Sequence, residues 1–384
     1  MRFTHLKLEN WRNFTTVDVP LAERVFVVGA NASGKSNLLD VFRFLQEIAQ
    51  EGGGLANAFD GRRRGLRAVR SLHSRRNHLE VDVCAEIDGH EWRYLLRLGP
   101  GKPGKKNGAT IIQREFATRD GKTVLDRPDP PDSRDEDRLK QTALEQTTQN
   151  KDFRELVRFL ASVEYTHVVP QLVRDPRGGQ DRERFGEALG ADFVEQIART
   201  KTREKTARLK VIQKALRSVL PQFSELVDDR DDVGRPHLKA KYLHWRPPGA
   251  WQQEDQFSDG TLRLIGLLWH LSAGSAPLLL EEPELSLHPS AVRQLPRMLA
   301  SVAARTGRQV LLSTHSPDLL ADKGIEPAEV LLLAPTKEAT CVTVGSDDED
   351  VVRAAEADLS LGPIVEAKTR PKDVLALASF GAKG

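Results

Sequence analysis

The sequence predicts an α/β fold in which a mostly parallel core sheet carries an antiparallel β-subdomain and a short helical arm. Three observations predict it. The apolar run Val25–Val28 leads straight into a glycine-rich turn, after which Leu38, Leu39, Val41, Phe42 and Leu45 recur at helical spacing. Strand-like runs at 237–245, 278–280, 310–313 and 329–333 alternate with helical patterns at 260–273 and 290–305, as a parallel sheet requires. Leu79, Val81, Val83, Ala85 and Ile87 alternate up to an Asp88-Gly89 turn, and Trp92, Tyr94, Leu96 and Leu98 continue beyond it, which is a β-hairpin pattern.

In chain order, Phe3, His5, Leu6 and Leu8, then Val17 and Val19, form short β-type runs before the buried run at 24–28. A second strand pair is expected at 110–117 and 122–126 around Asp120-Gly121, with a loop at 99–108. The stretch 127–150 is polar and Pro-rich at its start and reads as a surface loop. Helix is expected at 151–162, strand at 165–169, and a largely helical arm at 183–220, where Leu209, Ile212, Leu216 and Leu220 share a face up to Pro221. The domain reading is an N-terminal lobe at 1–170, the arm at 171–236, a C-terminal lobe at 237–335 and an extension at 336–384. No internal repeat is visible.

Composition bounds the function. The 384 residues are 39% hydrophobic and 29% charged, with a mean hydropathy of -0.44, enough for a sizeable core and unlike a membrane or disordered chain. No apolar stretch is long enough to span a bilayer and no secretory signal pattern opens the chain, so a cytoplasmic location is expected. Cys84 and Cys341 are the only cysteines, which excludes a disulfide framework and a Cys-rich metal site. A net charge of +2 leaves nucleic-acid binding to local patches.

The most informative segment is Gly29-Ala30-Asn31-Ala32-Ser33-Gly34-Lys35-Ser36, a complete G-x-x-x-x-G-K-[ST] after a strand and opening a helix. Its glycines let backbone N–H groups curl around a phosphate, Lys35 brings a point charge to the β/γ-phosphates, and Ser36 offers a hydroxyl to Mg²⁺. Downstream, Leu278–Leu280 ends in Glu281 and Glu282. Glu281 suits a water-mediated hold on Mg²⁺, and Glu282 suits polarising an attacking water. Phe257-Ser258-Asp259-Gly260-Thr261 is a small-residue turn into an apolar helix, able to grip a phosphate with Ser258 and its amides or simply to cap that helix. Leu311–Thr314 ends at His315, placed either to donate to a γ-phosphate or to rest as a loop histidine.

With these motifs in this order the sequence resembles ABC-type ATPases of the SMC, RecF and OLD group. The resemblance rests on LENWRNF at the N-terminus, GANASGKSN as Walker A, FSDGTLR as signature, LLLEEPELSLHP as Walker B with its D-loop, and STHSP as the switch-histidine region. It spans about residues 1–335, and the EEPE-x-x-LHP form is similar to the stand-alone, OLD-like branch found in bacterial anti-phage systems. It implies a P-loop ABC-type head using ATP and Mg²⁺. The nucleotide would be held by Gly29, Asn31, Ser33, Gly34, Lys35, Ser36 and Asn37, the metal by Ser36 and Glu281, and catalysis would fall to Glu282 and His315. It implies also a homodimer or higher oligomer in which Ser258 and Gly260 of one copy close over the nucleotide of the other.

Some positions depart from the family pattern. Ala32 stands where glycine is usual, Glu281 where aspartate is usual, and Asp259 where many members have glycine. The Q-loop glutamine, a further metal contact, is matched to Gln171 in VVPQLVRD, which reads equally as a plain loop residue. Arg12 of the N-F-R-like segment is matched to a phosphate contact, or else to a surface ion pair.

No sustained heptad lies between Ser36 and Ser258, so a long-armed tether is excluded, and the stretch after Leu333 is too short for a Toprim nuclease. The acids Asp347, Asp348, Glu349 and Asp350 read as a solvated loop. Seven arginines in 61–76, and Arg199, Lys201, Arg203, Lys205, Arg208, Lys210, Lys214 and Arg217 in the arm, either meet DNA phosphates, form solvated faces or dock a partner. Three functions follow as expectations: an ATPase switch controlling a separate effector, such as a Toprim-like or other nuclease, in anti-phage defence or DNA metabolism; a RecF-like DNA-binding repair ATPase; and a non-hydrolysing ATP-dependent scaffold.

Overall fold

The computed structural model describes all residues except 61–62, 102–109, 175–189, 191, 245–249 and 371–384. Its centre is a six-stranded sheet in the order β15-β14-β3-β13-β12-β8, made of β3 (Arg24–Gly29), β8 (Glu164–Thr166), β12 (Leu278–Glu281), β13 (Val310–Thr314), β14 (Val330–Pro335) and β15 (Thr340–Val344). All pairs are parallel except β14 with β15. The inner strands β3, β12, β13 and β14 are near-continuous apolar runs because both faces are covered, whereas the edge strands β8 and β15 are more polar. Val25, Val27, Leu279, Leu311 and Leu331 enter one core, and Phe26, Val28, Leu278, Leu280, Leu312 and Leu332 enter the other.

A second sheet, in the order β2-β1-β4-β5-β6-β7, consists of β1 (Arg2–Trp11), β2 (Phe14–Pro20), β4 (Leu79–Ile87), β5 (His90–Pro100), β6 (Thr110–Arg119) and β7 (Lys122–Arg127). The 79–98 hairpin forms as expected, with Asp88 and Gly89 at positive φ. This sheet is no appendage, however, because it shares one core with the parallel sheet. The helix Lys35–Ala49 lies in that core and buries residues along most of its length, including Leu38, Phe42, Phe44, Leu45 and Ile48. Gln309 ties the two sheets, accepting from the Phe3 amide at 2.8 Å and donating to the Phe3 and Ala22 carbonyls.

The segment expected as a parallel strand at 237–245 belongs elsewhere. β9 (Phe223–Arg230), β10 (Pro236–Tyr242) and β11 (Ala250–Gln253) form a separate antiparallel sheet. The short turn at Asp231–Arg235 decides this, because parallel pairing needs a crossover of a dozen or more residues. Leu226, Leu238 and Ala240 share a core with Leu209, Ile212 and Leu216 of the helix Thr202–Val219. The helices Phe193–Arg199 and Thr202–Val219 bear out the helical reading of 183–220 where that stretch is described, but β9 follows within the arm and makes it an α/β unit. The expected loop at 99–108 and the 183–189 part of the arm lie mostly or wholly outside the described residues. The acidic run at 347–350 is likewise not a loop. Asp348 caps the helix Glu349–Glu356, accepting from the Asp350 and Val351 amides, which places carboxylates at the positive helix end.

Arg308 locks the start of the central strands. Its guanidinium, fully buried, reaches the carbonyls of Ala276, His270 and Ala273 and the Glu164 carboxylate at 2.8 Å. Burial pushes the Glu164 carboxyl up, but His270 and Arg308 outweigh it and hold it below its usual value. A carboxyl with a depressed folded pKa stabilises above its unfolded pKa and loses that contribution as pH falls through the folded one. Glu164→Gln is therefore expected to lower the urea midpoint at pH 7 and to approach the parent as pH falls below the ordinary glutamate range through the depressed folded value; a gap of equal size at neutral and acid pH would contradict the pairing.

Candidate functional site

The predicted motifs converge at the carboxyl edge of the parallel sheet, because β3, β13 and β12 are adjacent and end at the same level. Gly29 closes β3 where a Cβ would meet Ser33 Oγ and the Leu333 carbonyl. Asn31 and Ala32 form the exposed tip, and Ala32 holds φ 63°, the left-handed region that glycine adopts more cheaply by about 1–2 kcal/mol. Ser33 is fully buried with an unpartnered Oγ, and Gly34, at φ 99°, opens the helix Lys35–Ala49. A Cβ at Gly34 would strike Asn13.

Asn13, whose role the sequence reading missed, braces the loop from outside. It donates to the Ser33 carbonyl at 2.8 Å and to Thr340 Oγ1, and accepts from Asn37 Nδ2 at 2.8 Å. Trp11 Nε1 donates to the Asn37 carbonyl at 2.8 Å. The LENWRNF segment thus supports the loop through its tryptophan and asparagine. Arg12, at φ 53°, turns to Asp40 at 3.7 Å, where Arg63 forms a two-pronged pair at 2.7 and 3.0 Å; Arg12 Nε is buried without a partner.

Lys35 folds back over its loop, donating to the Gly29 carbonyl at 2.9 Å and the Ala30 carbonyl at 3.2 Å, with Glu282 Oε1 3.7 Å away. Ser36 Oγ donates to Glu281 Oε1. Glu282 sits at φ 43°, a strained conformation for a non-glycine residue. Its amide donates to the Ser313 carbonyl at 3.0 Å, and its Oε1 lies 3.1 Å from His315 Nδ1. Lys35, Ser36, Glu281, Glu282 and His315 therefore gather at one edge, joined by these contacts.

Gln171 makes none of these described contacts. It is exposed on the short helix Pro170–Arg174, whereas the contacts to Glu281 from this side come from Tyr165, whose hydroxyl donates to Oε2, and His167, whose Nδ1 lies 3.2 Å from the Glu281 carbonyl. Neither residue was singled out in the sequence; the only signal was their place in the strand pattern expected at 165–169. A buried neighbour, Glu284, accepts from Thr314 Oγ1 but leaves Oε2 unpartnered, and burial pushes its carboxyl up.

Ser258 lies exposed at the start of the helix Asp259–Leu271, its Oγ accepting from the Thr261 amide at 3.2 Å. Arg174 fixes this turn through the Phe257 carbonyl at 2.6 Å and Asp259 at 2.5 Å. Gly260 is packed so closely on the Ser286 carbonyl that a Cβ would meet it at 2.4 Å. The signature turn and the D-loop are thus in direct contact, with the exposed Ser258 capping the 13-residue helix.

No set of three or more His, Cys, Asp or Glu side chains able to hold a metal stands together among the described residues. Ser36 with Glu281 is a pair of hard oxygen donors, which fits Mg²⁺, an ion that keeps several waters and takes further ligands from phosphate.

A family model described as "AAA domain, putative AbiEii toxin, Type IV TA system" matches residues 24–321. The chain belongs to this family. No curated protein sequence matches it. Among solved structures, the SMC head bound to the C-terminal winged-helix domain of ScpA is similar with a TM-score of 0.53 at 16% identity, over 91% of this chain and 99% of that one. The SMC head domain from Thermotoga maritima has a TM-score of 0.47 at 15% identity, over 90% and 99%. The first of these shows that this member of the AAA-domain family has the fold of an SMC-type P-loop head, as the sequence predicts. No helix among its described residues is long and apolar enough to cross a membrane.

Proposed function

We propose that the protein is an ATP-hydrolysing switch that closes as a nucleotide-sandwiched dimer and controls a separate effector. The observation that carries this reading is the gathering of Lys35, Ser36, Glu281, Glu282 and His315 at one sheet edge. Lys35 exchanges its loop carbonyls for the β/γ-phosphates, and the amides of 29–37 surround the β-phosphate. Ser36 and Glu281 would hold Mg²⁺, which would supply charge neutralisation to the phosphates. Glu282 takes a proton from the attacking water, and His315 orients the terminal phosphate or that water.

Ser258 and Gly260 of a second copy would complete the site, since an exposed helix N-terminus is an anion site in waiting. Contact between Gly260 and Ser286 gives each nucleotide a route to its neighbour's Walker B turn. Closure driven by the γ-phosphate and reversed by hydrolysis then gives the effector two shapes to distinguish. The winged-helix partner of the SMC head and the toxin–antitoxin wording of the family both favour a protein partner, and we place the role in bacterial defence.

DNA as the direct ligand has less support. Arg63 is buried against Asp40 and Glu47, Arg76 pairs with Glu9, and Lys205 and Arg208 pair with Asp228 and Glu204. The test is ATP affinity, turnover and mass by light scattering, with and without DNA at low and high salt. Lys35→Ala is expected to weaken ATP binding about 10- to 100-fold, the equivalent of one charged hydrogen bond. Unchanged affinity would refute the site, and DNA-dependent, salt-sensitive turnover would favour the RecF-like role.

A further inference from the structure

We propose that Tyr165 is a positioning residue for Glu281, holding one carboxylate oxygen so that the other is presented to the ion carried with the nucleotide. The inference rests on the nucleotide-site reading above and adds to it a residue from β8. Side-chain length creates the need for such a residue. Glutamate reaches one methylene farther than aspartate and has one more rotatable bond, so a carboxylate at position 281 needs an external anchor to keep one orientation.

The fold supplies that anchor on two sides. β8 runs parallel beside β12, with Thr166 opposite Leu280, so the residues around its end lie next to Glu281. The Tyr165 hydroxyl donates to Oε2 while Ser36 occupies Oε1, and His167 Nδ1 meets the carbonyl of the same residue at 3.2 Å. One oxygen is thereby committed to the protein and the other faces the P-loop serine. A phenol is suited to the task because it donates a hydrogen bond to a carboxylate at neutral pH without bringing a charge of its own.

Tyr165 is itself anchored. The Arg43 guanidinium lies 4.7 Å from the centre of its ring, and Arg43 Nε donates to Glu47 at 2.9 Å. Arg43 and Ser36 belong to the same helix, Lys35–Ala49. The connections therefore close a ring: helix to Arg43, Arg43 to Tyr165, Tyr165 to Glu281, and Glu281 back to Ser36 in the first turn. Partners of this kind behind a metal-side ligand typically carry 10–100-fold in metal affinity.

The experiment uses the full chain with a non-hydrolysable ATP analogue and Mn²⁺ as a paramagnetic probe, read by EPR. Tyr165→Phe keeps the ring and its Arg43 contact, and is expected to weaken Mn²⁺ binding in the nucleotide complex by about 10-fold or more. Nucleotide affinity in EDTA and the melting temperature should stay at the parent values. Glu281→Asp withdraws the carboxylate from the hydroxyl, so Tyr165→Phe should add little in that background. Parent-like Mn²⁺ affinity in Tyr165→Phe would overturn the inference while leaving the site reading intact. So would an equal loss of metal-free nucleotide binding, which would assign Tyr165 a merely structural role, or an effect undiminished in the Glu281→Asp background. A parent chain that binds neither nucleotide nor Mn²⁺ with it would overturn both.

Discussion

Glu282→Gln is expected to bind ATP at least as tightly as the parent and to turn it over about 10²–10⁴-fold more slowly. The amide preserves the shape of the side chain but has no basicity with which to accept a proton from water. Its loss of charge also removes the competitor that sits 3.7 Å from Lys35 Nζ, leaving the ammonium to the phosphates. The strained backbone at Glu282, φ 43°, aims the carboxylate at Lys35 and His315 together, and the substitution leaves that backbone in place. With hydrolysis blocked, the ATP-bound form should accumulate as a dimer in light scattering, at protein concentrations where the parent returns to monomer. Turnover equal to the parent's would remove Glu282 from the chemistry. Slow turnover indifferent to the substitution would favour an ATP-dependent scaffold.

The second large effect concerns stability. Arg127→Ala is expected to cost about 3–5 kcal/mol, because it strips the central cation from a buried charge network, leaving Glu115 without a countercharge and Asp132 with Arg138 alone. The Arg127 guanidinium donates to Glu115 at 2.9 Å and to both oxygens of Asp132 at 2.8 and 2.9 Å, with all three side chains almost wholly buried. Tyr94 and the Ala143 amide complete Glu115 at 2.9 Å, and Arg138 adds 3.0 Å to Asp132. Burial still pushes the Glu115 carboxyl above its ordinary value, whereas the donors around Asp132 outweigh burial and hold it below. Against a total stability of about 5–15 kcal/mol such a loss is severe. Urea denaturation and amide exchange along β6 and β7 would measure it. A loss under about 1 kcal/mol would mean that water reaches the carboxylates once the guanidinium is gone.

The candidate phosphate-binding residues were legible because their chemistry is local. Gly29 to Ser36 are contiguous, and the conformation of such a turn follows from glycine positions and the helix it opens. Glu281, Glu282 and His315 were legible for a related reason: each follows an apolar run, and adjacent parallel strands end at one edge. Tyr165 and Asn13 were not, because their use depends on which strand lies beside which. β9 escaped notice because FSELVDDR has too few apolar residues to alternate visibly, and only pairing with β10 makes it a strand.

What the sequence determined by itself is therefore the set of short-range devices: the loop shaped to receive a phosphate, the strands with both faces apolar, the hairpins and the helix that follows Ser258. Each depends on neighbours within a few residues, where backbone sterics and hydrophobic period act directly. What only the tertiary structure decided is the company these devices keep. The antiparallel sheet joins the core of the parallel sheet, Asn13 braces the loop, and Arg43, Tyr165 and Glu281 connect into one ring. Such contacts join residues far apart in the chain, and their hydrogen-bond geometry is set by strand register and packing, which composition and period do not encode.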